Sequence, residues 1–554
     1  MLTIRKLFYV CWVISLLAQA YFTELLPDEA YYWMYAQDLA WGYFDHPPFV
    51  ALWIKLGCWL LPGELGVRFF PIILSALTIY VMELLINPKH ISVYYMLVSS
   101  IAVLHFFGFL ALPDSSLLFF ATLFIYLYKK FLEDPDFLLS LIMGVSLAAM
   151  LLSKYHGVII PVCVIFANPG ILKNKKFWLA IGTAICLVIP HLWWQFKTGF
   201  PSINYHFFER STQHYQVSFT LEYLATQLFV LGPLTGVFLF IAAYKQKVKN
   251  VFEKTLHYLF WGIYLFFFLM TFKGRVEGHW TLLSVIPGLY VGYRFFSRSN
   301  GSTKLLRTLF FCSVILIGIV RLFLALNLDL PTNSLLWKLS HKIHHKETML
   351  AIKEHAGDKP VAFMNSYQKA SLYSFYAASE GFTINNIMGR KNQFNIWQSE
   401  NKYRGQSVFL IPNYDVTEFD TINGVHKRLR YTIIDNFQSY SCLKIYLENF
   451  PSEARPNDTI NIKAWIHHEL SQAIDLEANK SYPSSIYYQF FDGKKLVKEK
   501  KALPIANNAF NQTLTFSIET PEKPGNYKVY FSIKTGWLPP TINSQQYELK
   551  VVPD

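Results

Sequence analysis

Long apolar runs fill the first three fifths of the chain and are missing from the remainder. They fall at about 7–21, 65–86, 91–111, 115–128, 137–152, 157–168, 177–195, 221–244, 256–272, 280–293 and 306–326. Several are shorter than the roughly 20 residues that a spanning helix needs, so their ends must extend into neighbouring loops. The pattern predicts about eleven transmembrane helices over residues 1–330, with a long first outer loop at 22–64. Beyond them, KPVAFMNSYQKASLYSFYAA predicts a strand, a loop and a helix, and SVFLIPN a further strand, hence a small α/β unit over 331–450. From about 455 the period shortens to two. TINIKAWIHH, SSIYYQFF, QTLTFSIET, NYKVYFSIKT and QYELKVV, separated by Pro, Gly and Asn, predict a β-sandwich-like module over 451–554.

Charge sharpens this division. Residues 1–330 hold 24 Lys/Arg and 16 Asp/Glu, or 12%, whereas residues 331–554 hold 26 and 21, or 21%. A single soluble globule is excluded by the first part and a wholly embedded protein by the second. With the amino terminus inside, the inner loops carry 16 basic residues and the outer loops 6, the latter being Lys55, Lys154, Lys197, Arg210, Lys273 and Arg275. Basic residues favour the cytoplasmic side, so the carboxy-terminal region is expected outside the cytoplasm. Arg5 and Lys6 followed by an apolar run ending in Ala18-Gln19-Ala20 also fit a cleavable signal peptide, which would leave the later loops facing as before. The net charge of +13 is spread between apolar segments rather than gathered on one surface, which excludes a nucleic-acid partner. The 6 Cys show neither a disulfide framework nor a zinc spacing.

The outer loops collect unusual chemistry. The first reads TELLPDEAYYWMYAQDLAWGYFDHPPFVALWIKLG. Pro27 suits a first helical turn, and Asp28 and Glu29 then sit where the helix dipole favours negative charge. Tyr32 and Tyr35 follow on the face of Asp28. Asp45-His46-Pro47-Pro48 forms a rigid turn that offers an acid beside an imidazole. Asp114 stands at the outer end of the next helix but one, in LPDSS; Lys154, Tyr155 and His156 stand in SKYHG; Arg275, Glu277 and His279 alternate in KGRVEGHW, so an extended segment points all three one way. One ionisable group at a membrane edge snorkels; acids and bases at four outer junctions favour a shared polar cavity.

PDEAYYWMYAQDLAWGYFDHPP resembles the first extracytoplasmic loop of the GT-C glycosyltransferases related to protein O-mannosyltransferases, a superfamily that includes the bacterial enzyme adding aminoarabinose to lipid A. PDSSLLFF, SKYHG and RVEGHW are similar to that family's later junctions, and the likeness covers about residues 1–330. The resemblance implies a GT-C fold in a multi-pass protein of a cell membrane, most simply a bacterial inner membrane. It implies a polyprenyl-phosphate-linked sugar as donor and a lipid, glycan or protein hydroxyl as acceptor at the outer face. It also makes Asp28 the catalytic base, with Glu29 and Asp114 as the companion carboxylates. A leaving phosphate needs cations aimed at its growing charge, and Lys154, Arg275 and His46 are the candidates, although the aminoarabinose enzyme has a lysine where His46 stands. Tyr32, Tyr35, Asp45, Glu277 and His279 are expected to line the substrate site. Some relatives work without a metal; a divalent ion is the cofactor the residues could take, with Glu29, Asp45, His46 and His279 as mixed oxygen and nitrogen ligands.

A single proposed base without a second nucleophile favours inversion. The alternative is a transporter, flippase or binding protein for a lipid-linked sugar, which would place its polar groups near mid-membrane instead of at one edge. His341, His344 and His345 are read as a solvated or interfacial face beyond the last helix.

Overall fold

A computed structural model describes residues 2–206, 215–298, 304–327, 345–387, 389–413, 420–423, 428–468, 474–478, 483–493, 495–536 and 538–553. The chain divides into two compact units, Met1–His345 and Lys346–Asp554. Of the expected residues, Arg210, His341 and His344 lie outside the described ones.

The first unit is helical. Its elements are α1 (Leu2–Phe22), α2 (Pro27–Gln37), α3 (Phe49–Leu60), α4 (Gly63–Ile86), α5 (Ile91–Ser100), α6 (Ala102–Phe106), α7 (Pro113–Glu133) and α8 (Phe137–Ser153). They are followed by α9 (Ile159–Ala167), α10 (Lys175–Lys197), α11 (Pro201–Asn204), α12 (Val217–Val230), α13 (Gly236–Lys245), α14 (Val251–Met270), α15 (Val285–Arg298) and α16 (Lys304–Leu326). Among the described residues five helices are long and apolar enough to cross a membrane: Thr3–Phe22, Gly63–Ile86, Pro113–Glu133, Lys175–Lys197 and Leu306–Leu326. The protein is thus a multi-pass membrane protein.

Two expected spans are broken. The run at 91–111 divides at Ile101 into α5 and α6, and the run at 221–244 divides at Gly232 between α12 and α13. Gly232 has φ +141°, and a Cβ there would come within 2.8 Å of the Ser100 carbonyl oxygen, so one break is seated against the other. Polar side chains work at both breaks. Ser100 Oγ donates to Leu97 O at 2.9 Å, and Thr235 Oγ1 approaches Ser100 Oγ at 3.4 Å.

The second unit holds a five-stranded sheet in the order β2-β1-β3-β5-β4, built from β1 (Val361–Met364), β2 (Gly381–Ile384), β3 (Val408–Ile411), β4 (Asp420–Asn423) and β5 (Arg428–Ile434). β1 pairs in parallel with β2 and β3, as expected where helices connect buried apolar strands. Beyond it lie β6 (Leu443–Leu447), β7 (Glu453–Ala454), β8 (Thr459–His468), β9 (Ser484–Asp492), β10 (Lys495–Pro504), β11 (Leu514–Glu519), β12 (Gly525–Thr535) and β13 (Tyr547–Val551). These form sheets β10-β9-β12-β13-β7 and β11-β8-β6. Ile462 and Phe516 of one sheet share a core with Phe490 and Phe531 of the other, which makes a β-sandwich. Because β6 pairs with β8, the sandwich takes in residues before 451, where the sequence pattern had placed its start.

Candidate functional site

The site begins with two helix starts of identical design. Leu26-Pro27-Asp28 opens α2 and Leu112-Pro113-Asp114 opens α7, each with Pro in the first turn and Asp directly after it. Proline lacks the N–H that a helix start leaves unbonded, and the aspartate meets the positive end of the dipole. Asp28 is half-buried and Asp114 buried.

Glu29, the next residue of α2, has a different fate from the one expected. Its Oε1 accepts from Arg68 Nε at 2.8 Å and from the Ala111 amide at 2.8 Å; its Oε2 accepts from Arg68 Nη2 at 2.5 Å and from the Leu26 amide at 3.0 Å. Both partners of the ion pair are fully buried. Arg68 also donates to the carbonyls of Ala20, Thr23 and Glu24. Four bonds to protein occupy the carboxylate, and they tie α2 to α4 and to the approach to α7.

Asp114 and Lys154 also meet each other. The ammonium donates to Oδ1 and Oδ2, each at 2.8 Å, in a buried pair across the starts of α7 and the turn after α8. Lys154 is therefore not poised alone for a phosphate, and Asp114 is not an isolated carboxylate. Arg275 lies on the surface instead, 3.3 Å from Glu222 with both side chains more than half exposed. The extended 275–279 segment expected from alternation does not form. Glu277 precedes a 3-10 helix, Gly278–Ser284, which carries His279 round onto Phe107, ring centroids 5.1 Å apart.

His279 is where four junctions converge. Burial lowers its pKa, Asp114 raises it, Lys154 lowers it, and Glu277 and Asp28 raise it. Residues from the starts of α2 and α7, the turn after α8 and the segment after α14 therefore share one electrostatic environment.

A second group surrounds the rigid turn. Tyr35 donates to Asp45 Oδ2 at 3.2 Å and stacks on Tyr43 at 4.1 Å. Tyr32 meets His46 edge-on at 5.4 Å. His206 reaches the Asp45 carbonyl at 3.0 Å, and its ring lies 6.4 Å from that of His46 and 6.0 Å from that of Tyr155. Tyr155 in turn contacts His191 Nε2 at 3.1 Å, whose Nδ1 reaches Trp41 O at 2.7 Å. Gly42 permits this docking, since a Cβ there would stand 2.4 Å from Trp194 and 2.8 Å from His191 Nδ1. α2 carries members of both groups.

The expected metal set does not assemble. Glu29 is saturated, His279 faces Phe107, and His46 packs on Tyr32 and His206. Among the described residues no three His, Cys, Asp or Glu side chains stand close enough to hold a metal.

Arg68, His206, His191 and Glu222 were not anticipated. Arg68 had a readable signal, as a charge inside the apolar run at 65–86 demands a partner. His206 and His191 gave none, because their partners lie far away in sequence.

Acids and bases from several helix ends of the first unit thus share one electrostatic neighbourhood. Comparison with known proteins shows what the chain is similar to. The family model described as dolichyl-phosphate-mannose-protein mannosyltransferase matches residues 45–194. The lipid A galacturonosyltransferase RgtD of Rhizobium johnstonii is 22% identical over 287 residues, 48% of this chain and 59% of that protein. The chain thus spans about three fifths of that relative's length. ArnT from Cupriavidus metallidurans in its apo state shares the fold at a TM-score of 0.55 and 12% identity, over 78% of this chain and 97% of ArnT. ArnT bound to undecaprenyl phosphate gives the same TM-score over 77% of this chain. The resemblance to the GT-C superfamily read from the first loop is borne out, and the chain shares its fold with ArnT.

Proposed function

We propose that this chain is an inverting membrane glycosyltransferase that moves a sugar from a polyprenyl-phosphate donor to a hydroxyl of a lipid acceptor at the outer face of a bacterial inner membrane. The observation that carries the reading is the buried Asp114–Lys154 pair joining the start of α7 to the turn after α8, with Asp28 in the matching start of α2, at helix ends and not at mid-span. The relatives named above support a lipid-linked donor and a lipid acceptor.

In this reading Asp28 is the base. Asp28 sits half-buried in the first turn of α2, where the helix dipole favours its negative charge, and it matches the base position that the first-loop resemblance implies. The acceptor oxygen attacks the anomeric carbon from the face opposite the phosphate, and its proton passes to Asp28. The carbon–oxygen bond to the phosphate breaks with its electron pair, leaving polyprenyl phosphate. A base so placed contributes about 10²–10⁴-fold. An ammonium has three donors, and Asp114 takes two bonds from Lys154, so the third can meet a phosphate oxygen without separating the pair. The Arg275–Glu222 pair is exposed, and such pairs are worth about 0–1 kcal/mol, so Arg275 can exchange its partner for a phosphate at little cost. The residues do not fit a metal site, and no step passes through one.

The test is reconstitution of the purified chain in liposomes with lipid A and a panel of undecaprenyl-phosphate sugars, read by mass spectrometry of the lipid. A mass gain of one sugar residue is expected with one donor of the panel. Donor that crosses the bilayer while lipid A keeps its mass would replace this reading with a flippase.

A further inference from the structure

Large apolar side chains of the second unit point into its cores, with few exceptions. Among its described residues, Tyr446 and Trp465 are the aromatic ones that stay exposed, each at 43%. They are not scattered. Tyr446 on β6 lies directly opposite Trp465 on β8, and the rings stack with centroids 5.9 Å apart at 23°. The alternate residues Leu443, Ile445, Ala464 and Ile466 face the sandwich core, so the ring pair belongs to the solvent face of the sheet β11-β8-β6.

The rest of that face is polar and hydrogen-bonding. Lys444 stands opposite His467, two pairs along from the rings and hence on the same face. Lys463 reaches Glu448 at 3.3 Å, and Ser517 donates to Asn461 Oδ1 at 2.7 Å across β11 and β8. A flat apolar platform flanked by amides, hydroxyls and ammonium groups matches one chemistry well. A pyranose ring offers a face of C–H groups to an aromatic plane and a rim of hydroxyls to polar side chains. Lys444 and Lys463 against Glu448 leave a net positive charge, which favours a glycan that carries negative charge.

We infer that the Tyr446–Trp465 face of the β-sandwich binds an anionic oligosaccharide. The site is distinct from the cluster around His279 and gives the chain a second, non-catalytic contact with sugar.

The full-length chain in detergent should bind the phosphorylated core oligosaccharide released from lipopolysaccharide by mild acid, measured by calorimetry, more tightly than neutral maltoheptaose. Trp465→Ala and Tyr446→Ala should each weaken binding about ten-fold or more, and Trp465→Phe less. Both rings are on the solvent face, so the variants should keep the parent Tm. Asp28→Asn should bind the oligosaccharide as the parent does, which separates this site from the catalytic reading. Absence of binding by the parent, or parent-like affinity in Trp465→Ala, would overturn the inference. So would light scattering that shows the ring pair to be the contact between two copies of the chain.

Discussion

Arg68 and Glu29 form a buried ion pair in which each partner also holds backbone: the guanidinium takes the carbonyls of Ala20, Thr23 and Glu24, and the carboxylate takes the amides of Leu26 and Ala111. Five chain positions from the end of α1 to the approach to α7 are thereby fixed around α2. Breaking a buried pair by removing one partner costs about 3–5 kcal/mol, because the other charge stays buried without compensation. Arg68→Ala should therefore lower the Tm of the detergent-solubilised protein sharply, and Arg68→Met combined with Glu29→Gln should recover part of the loss. Equal melting of parent and single variant would mean that the pair does not hold the loop.

Asp28→Asn keeps nearly the shape of the side chain and cannot accept the acceptor's proton. Turnover at saturating donor should fall by at least about 10²-fold, with Tm and donor affinity unchanged. Parent-like turnover in a pure preparation removes Asp28 from the mechanism.

Lys154 and Arg275 should separate in their effects although both are assigned to the phosphate. Arg275→Ala removes an exposed group, so donor KM should rise while Tm stays level. Lys154→Ala strands buried Asp114 and should lower both kcat and Tm. The pair Lys154→Met with Asp114→Asn should regain Tm without regaining kcat, an outcome that a merely structural pair would not give.

Stability of the second unit should fall as pH rises through the mildly acidic range. Burial raises the Glu400 carboxyl from 4.5 to about 7, against the hydroxyl of Ser439 and the amide of Asn385, which lower it. The folded unit thus holds a proton that the unfolded chain has already released between those values, so unfolding becomes easier with each step upward and levels off above about 7. Glu400→Gln should flatten the dependence of Tm on pH; an unchanged slope would exclude Glu400 as its source.

A reporter fused at Asp554 that is active only in the cytoplasm should remain silent if the 16 to 6 split of basic residues sets the orientation. Strong reporter activity would invert it.

The chemistry of the first loop was legible because its elements are local: Pro27 and Asp28 announce a helix start, and the strands after 455 alternate cleanly. Partnerships were not, since Glu29 with Arg68 and Asp114 with Lys154 each join residues 39 or 40 positions apart. Two acids that read as catalytic in sequence are each held by a cation, one unanticipated (Arg68) and one expected to face the donor phosphate instead (Lys154). β10 escaped for another reason. KLVKEKKALP lacks alternation because it is an edge strand of its sheet, where lysines guard against pairing with other chains.

The two abutting helix breaks at Ile101 and Gly232 also bear on how the protein is made. Non-helical backbone survives at membrane depth only when protein covers it. As the chain emerges, the segment 91–106 is made long before Gly232 exists to seat against Ser100, so the close contact between the two breaks must wait for a residue synthesised some 130 positions later. The packing of this part of the unit is thus completed only when the late break meets the early one, which ties two stretches far apart in order of synthesis into a single step.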